Sequence, residues 1–191
     1  MSDPADATQG PADYALACVC CYVGGGRAPE PPGNSFYERR AACFVTLKKN
    51  GQLRGCIGTL EPAERSLGWE IARNAHSSAM RDPRFPPVTA DECEALTCSV
   101  DVLSPSEPCT PEDLDPQRYG VIVESGLRRG VLLPALEGVD TVEAQVDIAC
   151  QKAGIAPGQS CDVRRFLVTR YRQGDPPLGD ADQAACDVAT D

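Results

Sequence analysis

Cys56 is the residue of this chain whose type and setting most directly suggest chemistry. It lies in the run Leu53-Arg54-Gly55-Cys56-Ile57-Gly58, two residues after a cation and between two glycines. A thiol becomes a nucleophile when nearby positive charge lowers its pKa. Residues i and i+2 of a regular strand share a face, so Arg54 could supply that charge if no bulge intervenes. Gly55 and Gly58 leave backbone amides open to an oxyanion or a substrate carbonyl. A cysteine nucleophile also needs a base, and His76 is the one histidine in the sequence. Cys56 and His76 are therefore the catalytic candidates. The opposing reading is that a cysteine inside a strand packs as core. Both stay open at this stage.

Anion binding is the second chemistry the residues suggest. Arg84 and Asn74 flank the same region, and Lys48, Lys49 and Arg54 sit around one turn while Arg128 and Arg129 sit around another. If the two turns converge, their cations form a pocket for a phosphate or carboxylate. The plainer reading is a pair of exposed hairpin ends with solvated charges. Arg54, Gly55, Gly58, Arg84 and Arg129 are the substrate- or anion-binding candidates.

Other chemistries find no support. One histidine cannot furnish the His-rich ligand set of a mononuclear iron or zinc enzyme. Cys18 and Cys21 form a lone C-x-x-C inside the apolar run YALACVCCYV, where small thiols pack as hydrophobes, and no second pair completes a zinc or iron–sulfur site. Phosphate-loop and dinucleotide fingerprints are absent, as is a three-cysteine cluster motif for S-adenosylmethionine radical chemistry. No metal or cofactor is expected.

The bulk properties set the context for these residues. The 11 cysteines are odd in number and irregularly spaced. The N-terminal MSDPADATQGPAD has neither the basic nor the apolar region of a signal peptide, so the cysteines read as thiols in a cytoplasmic protein. No apolar run approaches the length of a membrane span. Of the formal charge of −10, the two acidic ends (residues 1–13 and 173–191) carry eight aspartates and no lysine or arginine. The remainder has 18 basic against 20 acidic side chains. That near-neutral middle disfavours binding to a nucleic-acid backbone. The expected organisation is an acidic, disordered N-terminus over 1–12, one domain over 13–172, and an acidic, disordered tail over 173–191. Oligomeric state is not legible.

The elements that must position Cys56 can be read from periodicity and turn signals. A helix is predicted over Ala12–Val23, stopped by Gly24-Gly25-Gly26. A strand over Ala42–Lys48 turns at Asn50-Gly51 into a second over Gln52–Leu60, interrupted by Gly55 and Gly58. A helix over Ala63–Arg81 has Leu67, Ile71, Ala75 and Ala79 on one face. Thr89 and Glu92 form a capping box for a short helix, and Thr97–Leu103 alternates as a strand with Cys98, Val100 and Val102 inward. Strands follow over Tyr119–Glu124 and Arg128–Leu133, a helix over Thr141–Ala153 ended by Gly154, and a last strand over Asp162–Tyr171. Its apolar residues, Val163, Phe166, Val168 and Tyr171, divide equally between both parities.

The second half echoes the first. Gly51, Arg54 and Gly55 match Gly126, Arg129 and Gly130 at one offset of 75 residues. Each set follows a strand and precedes a helix and another strand. A hairpin–helix–strand unit used twice gives an α+β fold with mainly antiparallel sheets and flanking helices. In that alignment Val131 stands opposite Cys56, so the architecture does not demand a cysteine there.

Four blocks, FVTLKKNGQLRGCIGTLEP, DPRFPPVT, SVDVLSP and YGVIVESGLRRGVLLPALEGVDTVEAQ, appear in that order. Together they resemble the AMMECR-type domain, most closely its bacterial branch in the AmmeMemoRadiSam system (protein A). The likeness spans Tyr14 to Tyr171, and LRGCIG resembles the family's signature hexapeptide. It implies two unequal lobes, the larger built from both chain ends. It further implies two partners, a Memo-type protein and a radical S-adenosylmethionine enzyme. No settled reaction comes with it. Ser78 departs from the family pattern, in which alanine is usual. The resulting expectation is an accessory component with a functional Cys56; the competing one is a non-catalytic binding or adaptor protein in which LRGCIG is a core or docking strand.

Overall fold

The structure, a computed structural model, describes residues 9–175. Most of the N-terminal segment and the acidic tail expected above lie outside the described residues. Two compact units are formed. The larger takes both ends of the chain, up to Val102 and again from Thr169, and the smaller comprises Leu103–Val168.

In the larger unit, helix α1 (Pro11–Val23) begins two residues before the expected boundary of the ordered domain, with proline in its first turn. Pro11 has no amide hydrogen to leave unsatisfied there. A four-residue helix α2 (Ser35–Glu38), missed in the proline-rich loop, starts where Asn34 Oδ1 accepts the Tyr37 amide at 3.3 Å. Strands β1 (Cys43–Lys49) and β2 (Gln52–Gly58) form the hairpin, and both Asn50 and Gly51 take the positive φ that a tight two-residue turn requires. Helix α3 runs from Leu67 to Met80, four residues shorter at its start than expected. The fully buried Glu70 explains the loss: its carboxylate accepts the Ala63 and Glu64 amides at 2.8 and 2.7 Å and the Thr59 hydroxyl at 2.6 Å. Those bonds hold residues 59–64 as a loop.

A 3-10 helix (Ala90–Ala95) carries the expected Thr89–Glu92 capping box and leads into β3 (Leu96–Leu103). The sheet order is β2-β1-β3-β8, β8 being Val168–Arg172. One face packs on α1 and α3 around Val45, Leu47, Leu67, Ile71, Ala75 and Val100, all fully buried. Each of the larger aliphatic side chains contributes about 1.5–3 kcal/mol of burial.

In the smaller unit, β5 (Gly120–Ser125) and β6 (Arg128–Leu132) form a hairpin, α4 (Val142–Ala153) follows, and β7 (Asp162–Phe166) returns beside β5. A two-residue strand β4 (Glu107–Pro108) completes the order β4-β7-β5-β6. The expected last strand is thus two strands, broken at Leu167 and shared between the two sheets. Val163 packs in the core of one unit and Tyr171, of the same parity, in that of the other.

The repeated unit is present as strand pairing. In each copy the hairpin's first strand sits between its partner and the strand that follows the helix, antiparallel to both. The glycines after the two arginines have one cause. A Cβ on Gly55 would lie 2.2 Å from the Ser78 carbonyl of α3, and one on Gly130 would lie 1.9 Å from the Ala149 carbonyl of α4. The hairpins do differ by one residue. The pairing shifts between Leu47 and Lys48, leaving Arg54 in a bulge, whereas Arg129 is paired directly with Glu124.

Candidate functional site

The register of β1 and β2 decides where the Cys56 side chain goes. Cys43, Val45 and Leu47 face the helices, and their partners across the hairpin include Ile57 and Gly55. Alternation then puts Cys56, with Thr46, Lys48 and Ser99, on the opposite face. Cys56 is half-buried and is not a member of the helix-covered core. The bulge also removes Arg54 from the regular alternation that would have placed it beside Cys56.

The backbone around Cys56 is fully engaged, which changes the roles expected of its neighbours. The Cys56 amide donates to Asp82 Oδ2 at 2.8 Å. The Ile57 amide donates to Ser78 Oγ at 2.9 Å, and the Ser78 hydroxyl donates to the Val45 carbonyl at 2.7 Å. These amides are not open to an oxyanion. Gly55 and Gly58 serve close packing: a Cβ on Gly58 would meet the Phe44 ring at 2.3 Å, as one on Gly55 would meet α3. Arg84 does reach Cys56, but through its backbone. Its guanidinium donates to the Cys56 carbonyl at 3.1 Å and grips both oxygens of Asp82 at 2.9 and 2.6 Å. That grip, helped by the Cys56 and Arg84 amides, holds the Asp82 carboxyl far below the usual range despite its burial.

The other candidates fall elsewhere. Arg54 folds onto the 3-10 helix, donating to Glu92 at 3.0 and 2.8 Å and to the Pro86 and Pro87 carbonyls. Lys49 joins the same carboxylate at 2.9 Å. Glu92 is held far below its usual pKa, first by Arg54 and then by Lys49 and the Thr89 amide. His76 stacks edge-on against Tyr22 of α1, ring centres 4.7 Å apart, and burial lowers its pKa. Two residues along a helix turn it about 200° from Ser78, the residue that faces β2. His76 is therefore aimed at the neighbouring helix and is not the base expected for Cys56. Arg129 belongs to the smaller unit, paired with Glu124 at 3.0 Å, and Arg128 donates to the Gly154 carbonyl. Each hairpin's arginines thus find acceptors inside their own unit, and the conditional pooling of cations between hairpins is not needed to account for them.

The Cys56 thiol itself meets Thr46 Oγ1 at 3.2 Å. Thr46 pairs onward with Ser99, so a thiol and two hydroxyls form one row across β2, β1 and β3. Beside that row opens a cavity of about 530 Å³, lined by Thr46, Lys48, Thr97, Ser99, Arg170 and Arg172 among others. Arg170 grips Asp101 of β3 with two bonds of 2.6 and 2.7 Å. Its pKa is raised first by that grip, with the Cys56 thiol a smaller contributor. Sequence reasoning missed Asp82, Ser78, Thr46 and Arg170. Asp82-Pro83-Arg84 carried a usable turn signal; Arg170, 69 residues from Asp101, carried none. Among the described residues no three His, Cys, Asp or Glu side chains cluster as metal ligands.

Comparison with known proteins decides the family. A model of the AMMECR1 family matches residues 12–174. The chain belongs to the AMMECR1 family. A Thermotoga maritima protein of this kind is 48% identical over 165 residues, covering 83% of this chain and 95% of its own. Protein CA_C1420 of Clostridium acetobutylicum is 49% identical over 145 residues, 76% of this chain, but the match spans only 31% of its length. Among solved structures, the uncharacterized protein PH0010 from Pyrococcus horikoshii superposes with a TM-score of 0.77 at 30% identity. That likeness covers 88% of this chain and 95% of that one. The two-sheet α+β architecture of this AMMECR1-family chain is therefore shared with a crystal structure. No helix among the described residues is long and apolar enough to cross a membrane.

Proposed function

We propose that this AMMECR1-family protein is a cytoplasmic accessory component of a radical S-adenosylmethionine system with a Memo-type partner, and that Cys56 handles its substrate. The observation that carries the role of Cys56 is its orientation. The thiol points away from the helix-covered core onto a polar face that bears a cavity, while its backbone is fixed by Asp82, Ser78 and Arg84. Fixing the backbone and freeing the side chain is the arrangement a positioned thiol needs. The bacterial branch that the sequence blocks resemble supplies the partners.

Native alkylation with iodoacetamide at pH 8, mapped by mass, tests the thiol. Burial pushes the Cys18 and Cys43 thiols up to about 12, leaving thiolate fractions on the order of 10⁻⁴ at that pH. Cys56 is expected to react well before both. A fully protected Cys56 beside a modified Cys21, which is exposed, would sink the substrate-handling role.

A second reading, a non-catalytic adaptor, draws on a different observation. Arg54, Arg84 and the two amides around Cys56 are all consumed by internal bonds, which is how a structural strand is built. Cys56→Val separates the two readings, because Val131 already fills the equivalent position. On the adaptor reading, stability and partner binding survive the change. Loss of system activity with the fold and partner binding intact favours the thiol.

A further inference from the structure

The cavity beside the Thr46 and Ser99 hydroxyls has a charge pattern that membership of the family does not account for. Three cations line it, Lys48 from β1 and Arg170 and Arg172 from β8, together with the hydroxyls of Thr46, Thr97 and Ser99. Among the described residues no carboxylate lines it. Two carboxylates among the described residues, Asp101 and Asp175, already hold bonds to these arginines. Asp101 lies almost fully buried under Arg170, which grips it through Nε and Nη2, and Asp175 accepts the Arg172 backbone amide at 2.6 Å. The Lys48 ammonium and the Arg172 guanidinium hold no hydrogen bond or ion pair with another described residue.

Geometry spreads these charges around the hydroxyl row. On β1, Lys48 follows Thr46 at the next position of the same face; on β3, Thr97 and Asp101 stand on either side of Ser99. Lys48 therefore flanks the row on one side, and Arg170, bound to Asp101, flanks it on the other. An oxygen-rich anion lying over Thr46 and Ser99 would take hydroxyl donors from below and cations from both flanks. A volume of about 530 Å³ falls within the range of small-molecule sites.

We propose that this cavity binds a small molecule through a phosphate or carboxylate group, Lys48 and Arg172 supplying the principal charges and Thr46 and Ser99 the hydroxyl donors. Cys56 does not itself line the cavity, but Thr46, which does, touches the Cys56 sulfur, so the bound group lies one side chain away from the thiol. In naming the substrate class for Cys56 the proposal rests on the substrate-handling role given to that thiol; the anion site itself stands on the cavity's own residues.

Isothermal titration calorimetry of the full chain tests it, with inorganic pyrophosphate and citrate as separate probes. One of them is expected to bind saturably, pyrophosphate pointing to a phosphorylated ligand and citrate to a carboxylated one. In the Lys48→Ala, Arg172→Ala double variant that affinity should fall about a hundredfold, roughly tenfold for each charge-assisted hydrogen bond removed. Both side chains are exposed, and an unchanged circular dichroism spectrum would confirm that the variant is folded. Absence of binding by either probe, or affinity unchanged in the folded double variant, overturns the proposal. Cys56→Ser, titrated the same way, keeps the anion site and the thiol apart. An intact anion site beside an unreactive Cys56 fails only the role of the thiol, and a reactive Cys56 without anion affinity fails only the anion site.

Discussion

Replacing Asp82 by asparagine tests the clamp that holds Cys56 in place. The carboxylate is 4% exposed and accepts four hydrogen bonds, from the Cys56 amide and from the Arg84 amide, Nε and Nη2. The asparagine amide keeps one acceptor oxygen but turns an NH₂ toward groups that are themselves donors. Breaking a fully buried ion pair costs about 3–5 kcal/mol. Here the Arg84 side chain is about half exposed, so the freed cation returns to water. The cost is then that of the missing charge-assisted hydrogen bonds, about 2–3 kcal/mol. Urea unfolding followed by Trp69 fluorescence measures it. Trp69 is the sole tryptophan and lies on α3, in the same unit as Asp82. The pH dependence has a definite sign. Arg84 lowers the folded pKa of Asp82 below its unfolded value, so the stabilisation is fully present above about pH 5 and declines as pH falls through the ordinary carboxylate range. The gap between wild type and Asp82→Asn should be widest at pH 7 and shrink below about pH 4. A variant as stable as wild type at pH 7, or a gap that grows in acid, would refute the reasoning.

The duplicated glycines make a paired prediction. Gly55→Ala and Gly130→Ala each press a methyl against a helix carbonyl, at 2.2 and 1.9 Å, and each should cost about 3 kcal/mol or more in thermal unfolding, at the top of the overpacking range. Gly51→Ala has open space and only the strain of its φ of +79°, so about 1 kcal/mol is expected. Equal costs at all three positions would contradict the helix-contact explanation. Glu92→Gln removes the charge that Arg54 and Lys49 share and should lower stability at pH 7 by about 1–3 kcal/mol in urea unfolding; an unchanged midpoint would show that the hairpin does not depend on that anchor.

Local signals in the sequence suffice for most elements. The Asn50-Gly51 turn, the Thr89–Glu92 capping box and the apolar stripe of Leu67, Ile71, Ala75 and Ala79 each depend on residues within a few positions of one another. What the sequence hides depends on partners far along the chain. Arg54 is a companion of Cys56 only where strand alternation is unbroken. The one-residue bulge and the Glu92 carboxylate, 38 positions away, send it elsewhere. Likewise Gly55 and Gly58 read as open backbone, but their lack of a side chain is used by α3 and by Phe44. The change from β7 to β8 at Leu167 leaves no signal in the sequence, because nothing local marks a strand that leaves one sheet for another.

The internal repeat gives a way to separate architecture from function within one molecule. Aligning the copies on the glycines that touch their helices, Gly55 opposite Leu47 and Gly130 opposite Val123, makes the next row Cys56–Thr46–Ser99 in one and Val131–Ile122–Arg164 in the other. The same backbone frame therefore accepts two apolar residues where the first copy has a thiol and a hydroxyl. Polar groups on a half-buried strand face gain less from packing than the apolar residues they replace. Neither pleat, register nor helix packing calls for them here. The helix-facing glycine and the two-residue hairpin turn recur in both copies and belong to the frame. Cys56, Thr46 and Ser99, with Lys48 and the two arginines of β8 around them, differ in kind: they form one continuous polar surface, and the cavity lies on it. Selection for the fold alone would not assemble that set, and a bound anion one side chain away from a thiol would.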